Sequence, residues 1–224
     1  MRHPLPRAVL FDLDGTLVDS AGDLLAALNA VRAQLGLPPD ADPQLRMLVS
    51  QGALALLKRS IPLALQTDLA GLRIAFLAYY RDNICRYSQL YPGGGELLSA
   101  LAGHKIAWGV VTNKPHALAQ ALLDQLGLTP GVLIGGDTLA LCKPDPAPVL
   151  AACAALGVTA AQTWLLGDDL RDIQAARAAG CSLSFACSYG YVPASVNIAD
   201  WGADYTLGAL DLLSARLWPE KALA

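Results

Sequence analysis

Residues Ala8, Val9, Leu10 and Phe11 form an unbroken apolar run that ends at once in Asp12, Leu13, Asp14, Gly15 and Thr16. A run without alternation suits a strand buried on both faces, and therefore a parallel sheet sandwiched between helices. Two carboxylates at the tip of such a strand are costly unless a cation lies between them. Carboxylate oxygens suit a hard divalent ion such as Mg²⁺, and Gly15 lets the chain turn sharply away. An EF-hand calcium loop is excluded, because with Gly15 as its sixth position Leu10 would stand first. A surface turn is the plain alternative for D-L-D-G taken alone.

The later chain carries the same message. Strands are expected at residues 106–111, 132–134, 164–166, 182–186 and 205–207. Helices are expected at 115–126, 146–156 and 170–179, with a last one from about Leu210. This alternation predicts an α/β fold with a doubly wound, Rossmann-like parallel sheet, whose chemistry collects at the carboxyl ends of the strands. Between Leu17 and Leu90 the spacing is helical instead, over 17–35, 43–59 and 64–87, and Pro92-Gly93-Gly94-Gly95 closes the stretch. The expected organisation is a catalytic core of residues 1–16 and 91–224 with an all-helical cap domain, 17–90, inserted after the first acidic strand.

Composition narrows the function. The 224 residues are 54% hydrophobic and 16% charged, which excludes a disordered chain. The net charge is −3 and no block of Lys and Arg occurs, so neither nucleic acid nor an anionic membrane is expected as a partner. No apolar run reaches the roughly 18 residues of a membrane span, and the apolar stretch before Asp12 is too short for a signal peptide. Cys85, Cys142, Cys153, Cys181 and Cys187 include no C-x-x-C pair and read as free thiols of a cytoplasmic protein. Their spacing with the histidines fits no zinc site. Oligomeric state is not fixed by the sequence.

The strand tips hold the polar residues. The strand at 106–111 ends in Thr112-Asn113-Lys114, the next leads to Lys143-Pro144, and the strand at 164–166 ends in Gly167-Asp168-Asp169 with Asp172 beyond. Carboxylates, hydroxyl and amide donors and a lysine around one sheet edge suit a phosphate and its metal. Asp12, at the most rigid position, fits a carboxylate nucleophile that forms an aspartyl-phosphate. Asp14 fits a general acid that protonates the leaving alkoxide and then a base toward water. One Mg²⁺ on Asp12, Asp14 and Asp168 would screen nucleophile from phosphate. Thr112 and Asn113 would donate to phosphate oxygens, and Lys143 would neutralise charge there and position Asp12. Taken singly, a Thr-Asn pair after a strand is an ordinary helix cap and a Lys-Pro an ordinary loop.

D-L-D-G-T-L, followed in order by Thr112-Asn113, Lys143 and G-D-D-x-x-D, resembles the four motifs of the haloacid dehalogenase-like hydrolase superfamily. The resemblance implies a nucleophilic Asp12, a metal contact from Asp14 through its backbone carbonyl, a direct metal ligand at Asp168 and a supporting Asp172. Asp169 stands where phosphoglycolate phosphatases often have Ser, and a helix N-terminus favours a carboxylate there. The stretches WGVVTNKP, CKPDPAP, GDDLRDI, YGY and WGAD resemble the phosphoglycolate phosphatase branch, and within it most the N-acetylmuramic acid 6-phosphate phosphatases of peptidoglycan recycling. The implied activity is a Mg²⁺-dependent phosphomonoesterase with a small-molecule substrate, an amino-sugar phosphate or alternatively 2-phosphoglycolate.

The insert resembles the family's helical cap, a lid that excludes water and adds substrate contacts. Ser50-Gln51-Gly52, with Arg46 and Lys58 nearby, is the candidate specificity element, against the alternative of an ordinary connection with solvated charges. Tyr79, Tyr80 and Tyr87 read as cap packing. A sugar-phosphate mutase would use the same aspartate pair. A catalytically silent binding module would have little reason to keep Asp12, Asp14, Lys143 and Asp168 together.

Overall fold

The computed structural model describes residues 4–218. In chain order it contains β1 (Ala8–Phe11), β2 (Val18–Asp19), α1 (Ala21–Gln34), α2 (Ala53–Ser60), α3 (Leu69–Asp82), β3 (Gln89–Leu90), α4 (Gly94–Gly103), β4 (Ala107–Val111), α5 (His116–Gln125), β5 (Leu133–Ile134), α6 (Ala147–Ala155), β6 (Thr163–Gly167), α7 (Leu170–Ala179), β7 (Leu183–Cys187), β8 (Tyr205–Leu207) and α8 (Leu212–Leu217).

Six strands form one sheet in the order β5-β4-β1-β6-β7-β8, and every neighbouring pair is parallel. The chain thus starts at the centre, winds outward through β4 and β5, then crosses back to β6, β7 and β8. Such a reversal opens a crevice at the carboxyl end of the sheet. Here it lies between β1 and β6, the strands that lead into Asp12 and Asp168.

Alternation along β1 explains why both faces need helices. Val9 and Phe11 enter a cluster with Leu97 and Leu101 of α4, Leu122 of α5 and Leu213 of α8. Leu10 points the other way, into a cluster with Val149 and Ala152 of α6 and Ala175 and Ala176 of α7. All four β1 residues are fully buried, so the unbroken apolar run is the price of a central position.

The insert has its own core. Leu24, Leu28 and Val31 of α1, Leu56 and Leu57 of α2, and Phe76 and Tyr80 of α3 pack together, joined by Leu118 of α5 and by Tyr191 beyond β7. Buried Arg32 staples the insert by donating to the carbonyls of Pro38 and Ser60 and the Ser60 hydroxyl.

Several boundaries differ from expectation. The first helix of the insert starts at Ala21 rather than Leu17, because Val18 and Asp19 pair antiparallel with Leu90 and Gln89. The insert is therefore helical except at its two ends, which form a short ribbon. Pro43–Gln51 is a 3₁₀ segment, and Gly52 at φ +82° separates it from α2. A second 3₁₀ turn, Leu63–Leu65, precedes α3. The triple glycine is not only punctuation: Gly93, left-handed at φ 78°, caps α4, and Gly94 and Gly95 form its first turn. All five cysteines are free thiols. Among the described residues no helix is long and apolar enough to cross a membrane.

Candidate active site

The ends of β1, β4 and β6 set the floor of the site. The Asp12 amide donates to the Leu166 carbonyl at 2.9 Å, which carries sheet pairing one residue past β1 and fixes the backbone. Its Oδ1 accepts from the Leu13 amide at 2.7 Å and from Lys143 Nζ at 3.0 Å. No described residue donates to Oδ2. One carboxylate oxygen is thus anchored, and the other is without a donor among the described residues.

Lys143 is 3% exposed, and its ammonium reaches Asp12, Asp172 Oδ1 at 2.6 Å and the Val111 carbonyl at 2.6 Å. Three partners account for its three protons. Burial opposes its charge, but the Asp12 and Asp172 carboxylates hold it above the ordinary lysine value. Asn113 fixes the Lys143 backbone from both sides: its amide nitrogen donates to the Lys143 carbonyl, and its oxygen accepts from the Lys143 amide. The Thr112 hydroxyl accepts from the Lys114 amide at 3.2 Å, which leaves its own proton to give.

Asp168 is 2% exposed and gathers donors from three chain segments. They are Thr16 Oγ1 at 3.0 Å, Ser50 Oγ at 2.8 Å and the Tyr191 amide at 2.8 Å. The fit demands glycine nearby. Gly15 sits at φ +87°, and a Cβ there would lie 2.2 Å from Asp168 Oδ2. Asp169 and Asp172 form a reciprocal cap on α7: Asp169 accepts from the Arg171 amide, and Asp172 accepts from the Asp169 amide. The Arg171 side chain also grips both Asp169 oxygens and the Ser50 carbonyl.

Asp12, Asp168 and Asp172 each offer an oxygen, all within 4.8 Å of one another. Burial first, and then the charges of the other two, push Asp168 well above the usual carboxylate range. Burial likewise pushes Asp172 up to about 7, against the pull of Lys143. Three buried carboxylates around one ammonium are electrostatically short of positive charge. A hard divalent cation is what this donor set fits. The cluster adds one residue to expectation: Asp172, read as a supporting residue, brings its carboxylate into it, while the Asp14 carboxylate lies outside, as a contact through the Asp14 backbone carbonyl allows.

Asp14 turns toward Ser20 Oγ at 2.5 Å and toward Lys114 Nζ at 2.9 and 3.1 Å. Lys114 Nζ also lies 4.4 Å from the centroid of the Tyr80 ring on α3. The sequence showed Lys114 at a strand tip but gave no sign of its partner, which lies a hundred residues upstream.

Above the floor, a cavity of about 260 Å³ separates the sheet edge from the insert. Asp12, Asp14, Thr112, Asn113, Lys143 and Asp172 open into it from below, and Ser50, Gln51 and Gly52 from above. Arg46 and Lys58 are not among its lining residues: Arg46 pairs with Asp19 at 2.6 Å. Tyr79 and Tyr87 are outside it too, whereas Tyr80, expected only to pack, lines it together with Arg73. Tyr191 ties the two layers by donating to Asp19 and accepting from the Ser20 and Ala21 amides.

A family model described as haloacid dehalogenase-like hydrolase matches residues 6–180. The N-acetylmuramic acid 6-phosphate phosphatase of Pseudomonas aeruginosa is 42% identical over 207 residues, 91% of each chain. A phosphoglycolate phosphatase of Xanthomonas campestris is 46% identical over 201 residues, 89% of this chain and 90% of the relative. A crystal structure described as a predicted phosphoglycolate phosphatase from Haemophilus somnus superposes with a TM-score of 0.82 at 31% identity, covering 92% of this chain and 96% of that one. With the strand order, the carboxylate cluster and these relatives in agreement, the chain belongs to the haloacid dehalogenase-like hydrolase family, among its phosphatases.

Proposed function

We propose that the protein is a Mg²⁺-dependent phosphomonoesterase that works through an aspartyl-phosphate on Asp12, with N-acetylmuramic acid 6-phosphate as its substrate. The observation that carries this reading is the meeting of Asp12, Asp168 and Asp172, two of them paired with Lys143, beneath the cavity. Residues 1–16 and 91–224 act as the catalytic core and 17–90 as its cap, in a cytoplasmic protein that takes a small-molecule substrate.

Asp12 Oδ2 attacks phosphorus in line with the leaving oxygen. Asp14 gives that oxygen a proton and later takes one from the water that cleaves the acyl-phosphate. Lys143 holds the attacking carboxylate in place, with Asn113 fixing the lysine backbone. The Thr112 hydroxyl donates to a phosphate oxygen. Asp12 and Asp168, with either the Asp14 carbonyl or the Asp172 carboxylate, would hold Mg²⁺, which supplies charge neutralisation between two anions.

Cavity size favours the sugar. About 260 Å³ is far more room than a two-carbon phosphate fills, and unfilled space offers a small ligand few contacts. Phosphoglycolate phosphatase activity is the second reading, favoured by relatives of that name at 43–46% identity. Inorganic phosphate released from each compound with Mg²⁺ decides between them. We expect a higher kcat/KM for the muramic sugar, and a preference for 2-phosphoglycolate would overturn that assignment.

A further inference from the structure

Four cationic side chains line the cavity: Arg73, Lys114, Lys143 and Arg171. Three are already committed. Lys114 is paired with Asp14, Lys143 with Asp12 and Asp172, and Arg171 with Asp169. Arg73 makes no ion pair or hydrogen bond with any described residue. On its own, an exposed arginine on a helix is an ordinary solvated charge.

A second observation comes from the same helix. Arg73, Phe76, Leu77 and Tyr80 all line the cavity, and the i, i+3, i+4, i+7 spacing makes them one face of α3. Tyr80 is 1% exposed, yet its hydroxyl has no hydrogen-bond partner. Lys114 lies over the ring and gives hydrogen bonds to both Asp14 oxygens. Burial pushes the phenol up to about 12, so it stays a neutral donor near pH 7. A buried, unsatisfied hydroxyl costs stability unless something else meets it. This face of the cap therefore offers a free cation, an apolar step and a free hydroxyl.

Tyr80 stands beside Lys114 and thus near Asp14, at the reacting end. Arg73 is seven residues away, about 10 Å along the helix axis. Resting on the phosphatase reading, we propose that Arg73 is a specificity-determining residue that binds a second anionic group of the substrate, a carboxylate set well apart from the phosphate. A muramic acid 6-phosphate has this form, with the phosphate on C6 and the lactyl carboxylate borne on O3. In 2-phosphoglycolate one methylene separates the ester oxygen from the carboxylate, too short a span to serve Asp12 and Arg73 together.

The test compares kcat/KM for N-acetylmuramic acid 6-phosphate, N-acetylglucosamine 6-phosphate (the same sugar without the lactyl group) and 2-phosphoglycolate. Wild type, Arg73→Met and Arg73→Lys are each measured. In Arg73→Met the ratio of muramic to glucosamine substrate should fall about 10- to 100-fold, the range of a charge-assisted pair, chiefly through KM. Arg73→Lys should recover part of it. The ratio of 2-phosphoglycolate to glucosamine substrate should not fall with it. An unmoved muramic ratio, or an equal loss on both sugars, would overturn the proposal; an equal fall with 2-phosphoglycolate would overturn the separation of the two anions. Calorimetric binding of the muramic substrate to Asp12→Asn and to Asp12→Asn/Arg73→Met separates the two readings. Weaker binding in the double variant supports Arg73 even if no substrate is turned over, which would instead sink the phosphatase reading. Equal binding in the two overturns the Arg73 assignment.

Discussion

The floor of the cavity and its roof treat polar groups in opposite ways. On the floor nearly every charge is spoken for: Lys143 has three partners, Asp168 three donors, Asp14 a lysine and a serine. On the roof Arg73 and the Tyr80 hydroxyl have none. A reaction that stabilises the same transferring group each time gains from donors locked before the ligand arrives. Recognition of a variable leaving group gains from donors kept open for it. The contrast teaches where to look for each property in this chain: chemistry in the saturated network, selectivity in the unsatisfied one.

Breaking the floor should have the largest effect. Asp12→Asn keeps the volume but removes the attacking carboxylate, and we expect kcat to fall at least about 1,000-fold with a Tm close to wild type. Phosphate release at the wild-type rate would remove Asp12 as nucleophile.

Metal removal comes next. Chelation should abolish phosphate release, and the metal-free fold should show the strain of its carboxylates. Asp168 and Asp172 hold protons in the folded state that the unfolded chain gives up, since Asp172 is raised from 3.8 to about 7. Stability of the metal-free protein should therefore fall as pH rises through that window. Mg²⁺ should raise Tm more at pH 8 than at pH 5, as expected of a ligand that binds only the native state. A Tm indifferent to Mg²⁺ at pH 8 would argue against the cluster as its site.

Ser50→Ala cuts a hydrogen bond from roof to floor, yet Asp168 keeps Thr16 and the Tyr191 amide. We expect kcat/KM to fall about tenfold, in line with the loss of one bond to a charged acceptor. Steady-state kinetics checks it.

Tyr80→Phe should have the smallest effect and is the sharpest on the contrast. Removing an unsatisfied hydroxyl costs the ligand-free fold nothing, so Tm should hold or rise, while KM rises a few-fold through one lost neutral hydrogen bond. A clear drop in Tm would show that the hydroxyl is structurally engaged.

What was legible in the sequence follows the same division. Expectation met α7 at both ends because local signals fix them: the Asp169–Asp172 cap at its start and left-handed Gly180 after it. The parallel sheet was legible because both-face burial leaves apolar runs. Misses arose where a distant partner decides. Val18 and Asp19 look helical until Gln89 and Leu90 are seen beside them. Lys114 is only a strand-tip residue in the sequence until Asp14 is seen beside it. Arg73 and Tyr80 could be placed on one helical face by spacing, but that the face overlooks the site depends on how the cap docks. Asn113 was read as a phosphate donor; that its amide also holds the Lys143 backbone is something no spacing could reveal.

The ribbon of β2 and β3 has a consequence of its own. The chain leaves the sheet layer and returns to it through two strands that lie side by side. An excursion whose ends are neighbours can be lengthened, shortened or exchanged with little disturbance to the scaffold that hosts it. Such a junction would let one insert be exchanged for another while Asp12 and Asp14 keep their place at the end of β1.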